Sequence, residues 1–377
     1  MPNMRLARYL PRYRNYIPLE PRDGLLLPKP TLLQACFAGV FAFSLLLNII
    51  HFFRPIRTLP SPLDDYQQLK RYPMLNQSAI PPLSEDDWRG AAIVTTLYSD
   101  SYAPAVATLG HSLQLVNTSA RMIMMYIPSQ ISPEALCLAT ASGFVAHPVE
   151  RIAPPGSGRG IRKQFVDQYT KLRLWTLDTL SEPVRRAVYI DSDTLVLHSL
   201  DELFALPYAF AAGPDVWAGD PGFTLAFNAG VLFLRPDSAL FGSLVAALGV
   251  ARYPPAFAEQ AFLNQFFATD VLRLPLAYNG NLAIKQRAPK VWESLQDELR
   301  VLHYTVNKPF LYDSSRPVPL DRLADRVRES AEEYKGVFRE EMLMWGDMWR
   351  ETRRVYSDKL RECMIFSSFP DPENDER

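Results

Sequence analysis

The chain has 377 residues, 48% apolar and 12% aromatic, a composition that supports a sizeable buried core and excludes a disordered chain. With 40 Lys and Arg against 41 Asp and Glu the net charge is −1, so no bulk positive field speaks for a nucleic-acid partner. Cys36, Cys137 and Cys363 lie far apart, with no CxxC or Cys/His pair at zinc-site spacing, and a bridge between Cys137 and Cys363 stays open.

From Pro30 to Phe53 no charged residue interrupts an apolar run, and about 20 helical residues cross a bilayer core. A buried core helix or a cleaved signal peptide are the alternatives; the run is long for the first and too far from Met1 for the second. Arg5, Arg8, Arg12, Arg14, Arg22 and Lys29 precede the run and only Arg54 and Arg57 follow closely, so the charge bias places residues 1–29 in the cytosol and the rest in a lumen. Pro55, Pro60, Pro62, Pro73, Pro81 and Pro82 then favour an extended stem over residues 54–89. Sequons at Asn76 and Asn117 suit that topology.

The body begins with AAIVTTLYS (Ala91 to Ser99), a β-rich run, followed by a helical pattern with Pro104 in its first turn and Val106, Leu109, Leu113 and Val116 on one face. RMIMMYI (Arg121 to Ile127) reads as a strand, ISPEALCLATASG as a helix closed by Gly143, and RRAVYI (Arg185 to Ile190) as a buried strand. Such alternation predicts an α/β body, residues 90–312, with a largely parallel sheet whose ligands sit beyond the carboxyl ends of the strands. There Asp191 and Asp193, one residue apart after AVYI, can approach a single hard divalent cation. An ordinary Asp-Ser-Asp turn after a strand is the plainer alternative.

AVYIDSDTLVL stands in order with YTKLRLWTL (Tyr169 to Leu177), FNAGVLFL (Phe227 to Leu234), EQAFLN (Glu259 to Asn264) and HYTVNKPF (His303 to Phe310). The set resembles the glycogenin-like family 8 glycosyltransferases over roughly Ala91 to Phe310. That resemblance implies a GT-A type nucleotide-diphospho-sugar transferase fold, a Rossmann-like mixed sheet flanked by helices. It also implies Mn²⁺ as cofactor, a UDP-sugar donor (UDP-glucose, UDP-GlcNAc or UDP-galactose), a glycan or glycoconjugate acceptor, and retention of anomeric configuration.

Carried over by position, Asp191, Asp193 and His303 correspond to the metal ligands, with Ser192 between the two acids. Lys308 and Lys171 correspond to donor-contacting lysines; a solvated lysine on an amphipathic helix is the other reading of Lys171, and a strand-end histidine that of His303. Thr96, Tyr98 and Tyr102 fall where the family holds uracil and ribose, and both tyrosines can equally be core. Asp215, Asn228, Ala229 and Gly230 fall at the sugar. Glu259 and Gln260 match an acidic-Gln pair near the anomeric carbon, with the Gln260 amide oxygen facing positive charge in the transition state.

The sequence departs from the pattern at KPF for the commoner KPW, in a closing motif lacking a Gly between His303 and Lys308, and in Glu259 where animal glycogenins have Asp. Length and topology resemble fungal Golgi members of the family, single-pass type II proteins of Golgi or ER membranes. After Phe310 the pattern turns helical: residues 313–377 form an extension with Val327, Tyr334, Phe338, Met342 and Trp345 as an apolar stripe that packs on the body or serves as an acceptor or homodimer surface, and the end, DPENDER, is read as disordered. Two rival readings stand beside this one. A haloacid-dehalogenase-type phosphatase shares strand-plus-DSDT, but Gly219-Asp220 has no second Asp at the required spacing. A catalytically inactive, membrane-tethered scaffold is the non-enzymatic alternative.

Overall fold

The computed structural model describes residues 31–53, 83–216, 226–313 and 316–363. The tail 1–29, the sequon at Asn76 and the acidic end fall outside these, as does most of the stem. The chain divides into two compact units, Met1–Leu59 and Pro60–Arg377. In the first, helix α1 (Leu32–Phe53) has 22 residues. At 1.5 Å per residue it runs about 33 Å. Its segment Leu32–Ile50 is apolar enough to cross a membrane, by length and composition.

The second unit starts with the short helix α2 (Glu85–Arg89). Trp88 packs edge-on against Phe204 with ring centroids 5.9 Å apart, and Asp87 pairs with Arg186. The folded body therefore reaches back into the segment read as stem, because proline spacing says nothing of the seven residues, 83–89, that follow the last proline. The elements β1 (Ala91–Leu97), α3 (Ala103–Leu115), β2 (Arg121–Tyr126), α4 (Pro133–Thr140) and β3 (Val145–Pro148) alternate along the chain. Ser132 caps α4 by accepting the Ala135 N–H at 3.1 Å. Gly143, at φ +107°, turns the chain into β3, a conformation strained for any side chain.

After β4 (Arg186–Ile190), β5 (Thr194–Val196), β6 (Phe210–Pro214) and β7 (Phe227–Leu234) come α5 (Ser238–Leu248), α6 (Ala258–Phe266), β8 (Leu272–Arg273) and β9 (Gly280–Asn281). Then follow α7 (Leu282–Arg287), α8 (Pro289–Leu295), β10 (Val301–His303), α9 (Leu323–Glu332), α10 (Arg339–Val355) and α11 (Ser357–Glu362). The main sheet runs β3-β2-β1-β4-β7-β6-β8. Its first four strands are parallel, and β7 is antiparallel to both β4 and β6. Because strand side chains alternate, Ile93, Val188 and Phe233 face one core with α3, α4 and the C-terminal helices. Val94, Tyr189 and Leu232 face the other, with α5, α6 and the segment Gln168–Thr179.

The structure departs from the sequence reading at three places. Tyr169 to Leu177 belongs to a 3₁₀ segment, Gln168–Thr179, and is largely buried, so Lys171 does not lie on a solvated amphipathic helix. Strand β3 escaped notice because its four residues are exposed or half-buried and carry no apolar alternation. In the C-terminal extension Val327, Phe338, Met342 and Trp345 are buried, but Tyr334 sits at φ +52° between α9 and α10, 48% exposed, and leaves the stripe.

These last helices are fastened to the body. Glu341 on α10, buried, accepts from Lys285 at 2.7 Å and from the Trp292 indole at 3.1 Å. His111 Nδ1 meets the Thr352 hydroxyl at 2.9 Å, and Cys137 in α4 is bridged to Cys363 with Cα atoms 5.6 Å apart. The bridge closes a loop of sequence separation 226, which a reduced unfolded chain need not close. Replacing Cys363 by Ser, or reducing the protein, is expected to cost about 2–5 kcal/mol and to lower the melting temperature in a scan with and without reductant. An unchanged melting temperature would remove the bridge as a staple of the extension.

Candidate active site

Strand β4 carries Asp191 to its carboxyl end, where its backbone N–H donates to Gly230 on β7 at 2.7 Å. Asp193 follows in the turn before β5. A second, three-stranded sheet, β5-β10-β9, sets β10 antiparallel to β5, with His303 opposite Thr194. His303 Nε2 then lies 3.4 Å from Asp193 and 3.8 Å from Asp191. One ligand atom from each of the three falls within 4.8 Å of the others. Gly230 has to be glycine: a Cβ there would stand 2.2 Å from the His303 ring.

Each acid has a cation beside it. Lys171, 2% exposed, donates to Glu259 at 2.8 Å and to the Ala229 carbonyl at 3.2 Å, and lies 3.1 Å from Asp191. Lys308 pairs with Asp193. Burial pushes the Asp191 carboxyl up, but Lys171, His303 and the Tyr189 hydroxyl outweigh it and hold it below the usual range. Burial also drives His303 down to about 4, so its imidazole is neutral at neutral pH, and pulls Lys308 down to about 8. Asp191 and Asp193 thus stand with the neutral His303 imidazole around one position, and a set of two carboxylates and one imidazole suits Mn²⁺.

A chain of polar side chains leads from the Asp191–Asp193–His303 cluster into the body. Asn279 accepts from His303 Nδ1 at 2.8 Å and donates to Asn228 at 2.9 Å. Asn228 donates to Asp215 at 3.1 Å, and Gln260 donates to the other oxygen of Asp215 at 3.1 Å while accepting the Ala229 N–H at 3.0 Å. The first link leaves the proton of His303 on Nδ1 and aims the Nε2 lone pair at the carboxylates. Ala258, just ahead of Glu259 and Gln260, has φ +44° without being glycine and is fully buried; such strain is held only where surrounding structure enforces it.

The profile of glycosyl transferase family 8 matches residues 93–314. The chain belongs to this family. Its GT-A type fold is the mixed sheet with flanking helices described above. Glycogenin of Neurospora crassa is 31% identical over 214 residues, covering 55% of this chain and 29% of that protein. Galactinol synthase 4 of Arabidopsis thaliana is 27% identical over 315 residues, covering 75% of this chain and 90% of that one. Among solved structures, the glycosyltransferase GlyE of Streptococcus pneumoniae aligns over 74% of this chain and 64% of its own, at 19% identity and a TM-score of 0.44.

Within this family 8 chain the fold brings Lys171, Asp191, Ser192, Asp193, Asp215, Asn228, Ala229, Gly230, Glu259, Gln260, His303 and Lys308 together. Thr96 is buried, with its hydroxyl 3.1 Å from that of Tyr189, and Tyr102 leans edge-on against Phe310 at 5.1 Å. Tyr98 is half-buried; burial and the nearby Glu259 and Asp191 carboxylates raise its hydroxyl well above the usual tyrosine value. Two residues of the cluster went unnoticed in the sequence. Tyr189, inside the apolar run before Asp191, donates to that carboxylate and lies under Lys171, 4.8 Å from its ring centroid. Asn279, in LAYNGN, lies 24 residues from His303 and had no motif to mark it. Asn279→Ala is expected to weaken Mn²⁺ binding about 10- to 100-fold, with Asn279→Asp, which keeps an acceptor oxygen, less affected. Titration of free Mn²⁺ by electron paramagnetic resonance measures this; equal affinities in all three proteins would refute the role given to Asn279.

Proposed function

We propose that the protein is a Mn²⁺-dependent, retaining glycosyltransferase that moves a sugar from a UDP-sugar to a glycan or glycoconjugate acceptor in the secretory pathway. The observation that carries this is the meeting of Asp191, Asp193 and His303 within 4.8 Å of one another, beside Lys308 and Lys171. Bound there, Mn²⁺ would supply Lewis-acid neutralisation of the donor diphosphate. Lys308, a cation at neutral pH, meets charge that develops on the departing phosphate. It can do so by leaving Asp193, to which it is paired only through side-chain contact.

Asp215 and Asn228 orient the sugar hydroxyls. Gln260, with one lone pair of its oxygen taken by Ala229, keeps the second for the electron-poor anomeric carbon. Glu259 is engaged by Lys171, which suits an anchor of that lysine better than a nucleophile. Attack on the donor's front face, with the donor phosphate receiving the acceptor proton, therefore asks nothing of Glu259.

For the compartment we propose residues 30–53 as a signal anchor, 1–29 as cytosolic tail, 54–89 as stem up to the packed α2, 90–312 as the lumenal catalytic domain of a Golgi or ER protein, and 313–377 as its extension. The basic residues ahead of the apolar run support this, as does the Cys137–Cys363 bridge, which an oxidising lumen maintains.

Release of UDP from UDP-glucose, UDP-GlcNAc and UDP-galactose, with and without Mn²⁺, tests the reaction. One donor should turn over only with Mn²⁺, and Asp191→Ala with Asp193→Ala should abolish turnover. Failure of every donor to bind or turn over in the presence of Mn²⁺ counts against the reading. A pH series adds a sharper check. A proton competes with the metal for His303 only as pH falls through about 4, whereas an unshifted histidine would begin to lose metal near 6.5. Mn²⁺ affinity is therefore expected to stay level between about pH 7.5 and about 5.5; a tenfold decline over that range would contradict the buried, neutral imidazole.

A further inference from the structure

Next to the cluster lies a band of charge that the reaction described so far does not use. Residues 151–166 hold Arg151, Arg159, Arg162 and Lys163 and no acid, and residues 238–258 hold Arg252 and no acid. Arg151 is matched by Asp167 at 2.5 Å. Arg159, Arg162, Lys163 and Arg252 are exposed, and among the described residues none of them pairs with a carboxylate.

The two segments meet at the edge of the site. A Cβ at Gly160 would stand 3.1 Å from the Pro255 ring, and the hydroxyls of Tyr169 and Tyr253 lie 3.0 Å apart. Tyr169 is two residues before Lys171. Phe257, 51% exposed, is two residues before Glu259. Through Tyr169 and Phe257 the two segments therefore lead into Lys171 and Glu259, whose ammonium and carboxylate meet at 2.8 Å.

Four exposed cations on two adjoining segments, with no carboxylate partner among the described residues, set up a local positive field. An anion lying between them neutralises that field, and the arginine fork fits phosphate oxygens in pairs. We propose that Arg159, Arg162, Lys163 and Arg252 bind a phosphate group on the acceptor, which is a phosphate-bearing sugar, polyol or lipid head group, and that Phe257 offers its ring to the acceptor's apolar face. The inference rests on the transferase reading above and names the acceptor class that reading leaves open.

The test uses the full chain reconstituted into phosphatidylcholine vesicles, with or without phosphatidylinositol, and supplied with the donor that turns over, plus glucose or glucose 6-phosphate. UDP release above donor hydrolysis is expected with an anionic probe and not with its neutral counterpart. Glucose 6-phosphate as the active probe identifies a soluble phosphate; phosphatidylinositol identifies a head group. Changing all four cations to Gln should raise the probe's KM roughly tenfold, since each exposed pair contributes modestly. Changing the three arginines to Lys should recover much of that loss. The wild-type effect should also fade as salt rises, because exposed charges are screened.

Equal response to neutral and anionic probes overturns the proposal, as does an anionic preference that survives in the Gln variant. A rise in the donor's KM in place of the probe's assigns the band to the donor diphosphate and overturns it too. Mn²⁺-dependent hydrolysis of the donor alone reports separately on the transferase reading, so a protein that hydrolyses donor but ignores phosphate refutes the role of the band alone. Should no donor turn over, calorimetric titration of the same probes into the Gln variant and the wild type decides the role of the band by binding.

Discussion

The ion pair between Lys171 and the two carboxylates of Asp191 and Glu259 is the contact on which the rest of the site depends. All three groups are largely withdrawn from water, and a charge so placed is tolerated only when paired and hydrogen-bonded. Lys171 comes from a 3₁₀ segment, Asp191 from the central strand and Glu259 from a helix start, so the pair ties three parts of one core together. Tyr189 and the Ala229 carbonyl complete the lysine's surroundings. Removing the lysine would leave the buried Glu259 carboxylate and the partly buried Asp191 carboxylate without their shared cation.

The smaller sheet follows from the same economy of charge. By pairing with β5, strand β10 brings a neutral histidine to the side of Asp193 that faces Asp191, and Tyr304 donates its backbone N–H to the Asp193 carbonyl at 2.9 Å. The Tyr304 hydroxyl in turn donates to the Glu341 carbonyl in α10 at 2.7 Å. The C-terminal helices are therefore tied to the segment after His303 by Tyr304, by Asn307, which donates to the Ser330 carbonyl at 3.1 Å, and by the Phe310–Trp345 contact, and the Cys137–Cys363 bridge fastens their far end to the body. Precise placement of ligand atoms depends on such outer contacts as much as on the ligands themselves.

Much of this was legible along the chain because its signals are local. An apolar strand followed by Asp-Ser-Asp, a proline-started helix after a β-rich run, and an apolar run free of charge each involve neighbouring residues, and each has a direct physical meaning. The order of five motifs added the family and, through it, His303 and Lys308, which lie more than a hundred residues from Asp191. What stayed hidden had no local mark. Tyr189 lies inside an apolar strand run, and Asn279 belongs to no motif. The 3₁₀ course of Gln168–Thr179 was masked by a pattern that also fits an α-helix, and Tyr334 by a helical spacing that a kink interrupts.

By itself the sequence determined the α/β class, the apolar segment at the N-terminus and the residue types at the cluster, because strand alternation, hydropathy and Asp pairs are written in short stretches. Only the tertiary structure decided that β10 lies beside β5, that one lysine is shared by two carboxylates, that three polar side chains link His303 to Gln260, and that the segments around Gly160 and Pro255 meet. Those are meetings between residues far apart in the chain, and register and packing settle them, not spacing.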